Sequence, residues 1–180
     1  MLTLEALKIH TQCCELRVVQ CPAPRNVCGK EFPFCQLYDH VVSDCKVPFN
    51  AKWGFLGCAN NDFPMKIKVE NKDWGYVIIS FNGVYFYLGA ETTPEFTVYT
   101  MELFGTEGDA KDYEVSITAH HVDDDEMKGN HVQRFTGEPI AIDTKPDMKK
   151  RDGLIVGSKQ MSNIADKDGI LQLTVDIKNK

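Results

Sequence analysis

The sequence predicts a mainly β fold: an antiparallel β-sandwich preceded by a small metal-stapled module. Three observations lead there. From Val47 onward, apolar and aromatic runs recur at short intervals between turn residues, with no long helical stretch separating them. Ahead of that point the cysteines crowd together: six of the seven precede residue 46, and five fall in residues 13–35. Within that crowd, Cys21, Cys28, His40 and Cys45 are spaced C-x6-C-x11-H-x4-C.

The four-residue pattern suits zinc. Two thiols, a span long enough to fold back, and a His and Cys about one helical turn apart can close a tetrahedron of sulfur and nitrogen donors. A closed four-ligand site is structural rather than catalytic. A segment this short cannot bury enough apolar surface to fold alone, and bound metal supplies the deficit, on the order of 10 kcal/mol in finger peptides. Cys35 to Asp44 contains no helix breaker, so a helix carrying His40 is expected there. Cys35 lies between the ligands, and its side chain is expected to pack in the module's small interior. Disulfides are the competing use of these cysteines. They require an oxidising compartment, whereas the N-terminal apolar run is too short and too charged to be a secretory signal. The odd cysteine count also fits a fully oxidised framework poorly.

A chain of 180 residues accommodates one ordinary domain and a small appendage. The division expected is a zinc-finger region over residues 1–46 and a β-rich body over residues 47–180. Within the first region, residues 1–14 form a partial first finger and residues 21–45 a complete second one. His10-x3-Cys14 resembles the closing half of a finger, but the matching thiol twelve positions earlier falls before Met1. Two ligands rarely fix a zinc, so His10 and Cys14 read as a remnant, with Cys13 a third candidate donor. The net charge of −6 excludes non-specific attraction to nucleic acid, and the finger itself is not basic. No run is long enough to span a bilayer, so no membrane partner is expected. The expected location is cytoplasmic, with a nuclear one also open.

Strands are expected over residues 66–70, 74–80, 84–88, 96–104, 113–119, 133–136, 140–143, 153–156 and 170–177. Asn82-Gly83 between two of them signals a tight hairpin. In the last run Leu171, Leu173, Val175 and Ile177 alternate with polar residues, the mark of a half-buried strand. The acidic run Asp123 to Glu126 lacks the ligand alternation of an EF-hand and reads as a solvated loop. No catalytic residue emerges. Cys58 lacks a nucleophile-elbow context, Gly105 to Gly108 has no following Lys-Ser or Lys-Thr, and adjacent His120 and His121 point to opposite faces of a strand.

His10-x3-Cys14-Glu15-x5-Cys21-Pro22, the Cys28-x11-His40-x4-Cys45 continuation, Asp73-Trp74 opening a strand and Glu102-Leu-Phe-Gly-Thr106 together resemble the seven-in-absentia family of ubiquitin ligases. The resemblance covers nearly the whole chain. It implies a TRAF-like substrate-binding sandwich that captures extended degron peptides by strand addition, directs partners to proteasomal degradation, and forms a homodimer. It also implies that the ubiquitin-conjugating enzyme is recruited only through a RING domain, which these residues lack; this chain alone should therefore not catalyse transfer. A RING-less scaffold or decoy that dimerises and captures partners without ubiquitination is the alternative. The resemblance places Trp74 as the apolar wall of the peptide groove, with Tyr76 beside it on the same strand face. As a bare aromatic in a strand, Trp74 would pack inward instead. Cys45 departs from the family's pattern, in which the final ligand is commonly His.

Overall fold

A computed structural model of the chain describes residues 3, 10, 14–23, 28–45, 65–70, 77–120, 133–142, 152–165 and 170–180. The described residues are mainly β, in three sheets. The smallest is a hairpin of β1 (Val18–Gln20) and β2 (Glu31–Pro33), followed by helix α1 (Phe34–Ser43). A second, four-stranded sheet runs β3 (Met65–Glu70), β11 (Ile170–Asn179), β7 (Tyr113–His120) and β8 (Gln133–Gly137), all antiparallel. The third sheet has the order β10 (Leu154–Gly157), β6 (Phe96–Leu103), β5 (Val84–Thr92) and β4 (Val77–Phe81), with β9 (Ile140–Ala141) beside β6. Its pairings are antiparallel except the two-residue β6–β9 contact, which is parallel. The expectation of a purely antiparallel arrangement is corrected to that extent.

The two larger sheets share one core. Val77, Ile79, Phe86, Leu88, Tyr99, Met101 and Leu103 on one side meet Val115, Ile117, Ala119, Leu171, Leu173, Val175 and Ile177 on the other. Each set follows the two-residue period of a strand. The turn between β4 and β5 is the expected one: Asn82 and Gly83 both have positive φ, 52° and 79°, as the tightest hairpins require. Gly153 leads into β10 so close to β6 that a Cβ would collide with the Tyr99 carbonyl oxygen.

The face of β4 and β5 turned away from this core is also covered. Ile78, Tyr85 and Tyr87 belong to a second cluster with Val19, Leu37, Val41, Tyr38 and Phe34 from the N-terminal module. Burial on both faces explains why Val77 to Ile79 and Tyr85 to Leu88 read as unbroken apolar runs, whereas β11 alternates. Two short helices escaped the sequence reading, α2 (Glu107–Ala110) and α3 (Ser158–Ile164). The latter buries Met161 and Ile164, three residues apart, and the Gln160 side chain accepts the Gly157 N–H at its start. Among the described residues, no helix is long and apolar enough to cross a membrane.

Candidate metal centre

Helix α1 forms because Phe34, Leu37, Tyr38 and Val41 recur at helical spacing and bury one face. Leu37 and Val41 are both 0% exposed, and each contributes roughly 1.5–3 kcal/mol by leaving water. Pro33 at the helix start offers no side-chain acceptor. Instead, the N–H groups of Phe34 and Cys35 donate to the carbonyls of Arg17 and Glu15, at 2.8 and 2.9 Å. The incoming chain thus satisfies two of the helix's orphan donors. At the other end, the N–H groups of Asp44 and Cys45 both donate to the His40 carbonyl, at 2.9 and 3.2 Å. That convergence closes the helix at Ser43, so His40 and Cys45 do not share a helix face as their spacing suggested.

This framework brings the four expected ligands together. Their donor atoms all lie within 4.8 Å of one another, and the four can hold a metal ion. The Cys21 and Cys45 sulfurs are 3.7 Å apart, and His40 Nε2 is 3.3 Å from the sulfurs of both Cys28 and Cys45. A tetrahedral zinc with ordinary bond lengths requires edges of about 3.8 Å between sulfurs and about 3.6 Å from sulfur to nitrogen. These three separations match such an ion to within a few tenths of an ångström, and the full donor set, reaching 4.8 Å, must draw in slightly to close on it.

Burial and backbone N–H groups set the ionisation of the three thiols. Burial pushes the Cys21 and Cys45 thiols up, against the formation of three adjacent thiolates. Cys28 moves the other way, down to about 7, chiefly because the Lys30 backbone N–H favours its thiolate. The Ala23 N–H plays the corresponding part at Cys21. A divalent ion would supply the positive charge that makes all three thiolates compatible with burial.

His40 is oriented by groups that the sequence reading missed. Its Nδ1 lies 2.8 Å from Asp44 Oδ2, leaving Nε2 to face the sulfurs, and its ring stacks on Phe32 with centroids 3.7 Å apart. Asp44 follows His40 by four residues, a spacing that could have identified it. A carboxylate behind a ligating His fixes the tautomer and raises ligand basicity. Asp44→Ala is expected to weaken metal binding by about ten- to a hundredfold, measured by competition with a chromophoric chelator; an unchanged affinity would remove Asp44 from the site.

The module is anchored to the body at several points. Tyr38 stacks on Tyr85 at 4.2 Å and meets Phe104 edge-on at 6.1 Å. The Tyr87 hydroxyl donates to the Pro22 carbonyl at 3.2 Å. The Arg17 guanidinium lies 3.6 Å over the Phe34 ring and donates to the carbonyls of Cys14 and Gly105, both at 3.2 Å.

Other expected site residues fare differently. Cys35 is exposed, not interior: it precedes Leu37 by two positions and so lies on the opposite side of α1 from the buried face. His10 is exposed and Cys14 half-buried, and neither joins a group of three or more ligating side chains among the described residues. Cys13, Cys58, Trp74, Tyr76, His121, His131 and the 123–126 acidic run lie outside the described residues. No protein-family model matches the chain, and no curated protein matches it.

Proposed function

We propose that the chain is a zinc-stabilised substrate-recognition portion of a seven-in-absentia-type ubiquitin ligase. In this reading zinc occupies the Cys21, Cys28, His40 and Cys45 site, and the β-rich body is a TRAF-like sandwich that binds degron peptides. Thiolate and imidazole donors in a closed tetrahedron favour zinc over the harder divalent ions. The role assigned to these residues is recognition, directing protein partners to proteasomal degradation as a homodimer, and not ubiquitin transfer.

The observation that carries the reading is the docking of the four-ligand module on the outer face of β4 and β5, at the end of the sheet order among the described residues. β4 is the last strand in its sheet order among the described residues. Its outer edge can therefore accept an extended peptide through main-chain pairing, with side-chain pockets supplying selectivity. Asp73-Trp74 precedes β4 directly in sequence, which supports Trp74, with Tyr76, as part of the groove.

Selection of short peptides from a displayed library, followed by titration, tests the proposal. A bound extended peptide should lose about tenfold or more in affinity in Trp74→Ala, in line with a buried aromatic hot spot. Failure to select any extended peptide, or equal affinity in a folded Trp74→Ala variant, would remove the mechanism.

A further inference from the structure

Cys45 is the one candidate ligand of the four that is not buried, and that position has a consequence. Cys21 and Cys28 are buried, 4% and 9% exposed, whereas Cys45 is half-buried and lies past the end of α1. The Cys21 sulfur lies 3.7 Å from that of Cys45. One thiolate of the site is thus open to small solutes, with a second thiolate directly behind it.

We propose that the site is a peroxide-sensitive switch: oxidation joins Cys45 to Cys21 and releases the metal ion. The inference rests on metal occupancy of the four-ligand cluster and is independent of the ligase reading. The oxidant is hydrogen peroxide. The Cys45 thiolate attacks one peroxide oxygen, the O–O bond breaks, and hydroxide departs, leaving Cys45 as a sulfenic acid. The Cys21 thiolate then attacks the Cys45 sulfur, forming the S–S bond and expelling a second hydroxide. In total, two thiolates lose two electrons and one peroxide gains them, and two protons from water or buffer convert the hydroxides to water.

The metal site cannot survive this change, because only Cys28 and His40 remain as donors. Two ligands seldom hold zinc against solvent. The Cys21–Cys45 disulfide keeps the edge of the hairpin joined to the end of α1, while Cys28 and His40 lose the ion they shared. Val19, Leu37 and Val41 cover Ile78 and Tyr87 from these same elements, so the cover over the outer face of β4 and β5 stays tethered after release. A thiol reductant plus zinc restores the closed state.

The test uses the full chain loaded with zinc, its content measured before oxidant is added. Hydrogen peroxide is then added in the presence of a chromophoric zinc chelator, and cysteine pairing is mapped by peptide mass spectrometry. Wild type is expected to release its zinc and to yield a Cys21–Cys45 linked peptide, both reversed by reductant and zinc. Cys45→His, which keeps four donors, is expected to retain its zinc through the same exposure. Cys35→Ser, which removes the exposed thiol outside the cluster, should behave as wild type. Retention of zinc by oxidised wild type, equal release from Cys45→His, or a disulfide that excludes Cys45 would each overturn the proposal. If Cys45→His does not fold, the pairing map of wild type decides alone.

Discussion

Replacing His40 with alanine is expected to abolish stoichiometric metal binding and to release β1, β2 and α1 from the face of β4 and β5. His40 turns Nε2 toward the sulfurs of Cys28 and Cys45 and Nδ1 toward Asp44. Its loss leaves three thiols, two of which burial holds in their neutral form. In finger peptides a structural zinc is worth about 10–16 kcal/mol at neutral pH, far more than a hairpin of three-residue strands and a ten-residue helix supply alone. Amide hydrogen exchange should therefore show lost protection across β1, β2 and α1, while β5, β6, β7 and β11 stay protected. Wild type at acid pH should show the same pattern, since protonation of the thiolates expels the metal. Full protection of α1 in a metal-free His40→Ala variant would mean that packing, not coordination, folds the module.

Phe86→Ala is expected to be the most damaging change in the body. The ring is 0% exposed and meets Tyr113 edge-on with centroids 5.2 Å apart, linking the two larger sheets. Truncating a buried phenylalanine costs about 3–5 kcal/mol through lost transfer energy and the cavity left behind. For a chain of this size that corresponds to a fall in Tm of roughly 10 °C or more, read by thermal circular dichroism. A fall of one or two degrees would show that the shared core is not what holds the sheets together. Tyr85→Ala should be milder for the body: Tyr85 points to the other face, and its loss acts on the docking of Tyr38.

Much of the body was legible because a strand's chemistry repeats every second residue. β5, β6 and β7 fall where the apolar runs placed them, β11 falls where alternation did, and Asn82-Gly83 forms the turn its residue types demand. The four ligands were legible for a different reason: few uses of clustered Cys and His fit that spacing. Three features were not. The β1–β2 hairpin is built from three-residue strands of mixed character, and its caps for α1 come from backbone carbonyls that carry no sequence signal. The two-sided burial of β4 and β5 is a tertiary fact: Tyr85 and Tyr87 look like ordinary strand aromatics until Tyr38 and Pro22 meet them. Cys35 is the instructive miss. Leu37 and Val41 already define the buried face of α1, and two positions from Leu37 is the solvent side.

In the proposed centre, one metal ion closes Cys21, Cys28, His40 and Cys45 into a single site. Elemental analysis of the full chain, purified under reducing conditions without chelator, tests it most directly. One equivalent of zinc per chain, lost in His40→Ala, is the expected result. A well-folded chain containing no stoichiometric metal, with all four side chains open to thiol and histidine reagents, would contradict it.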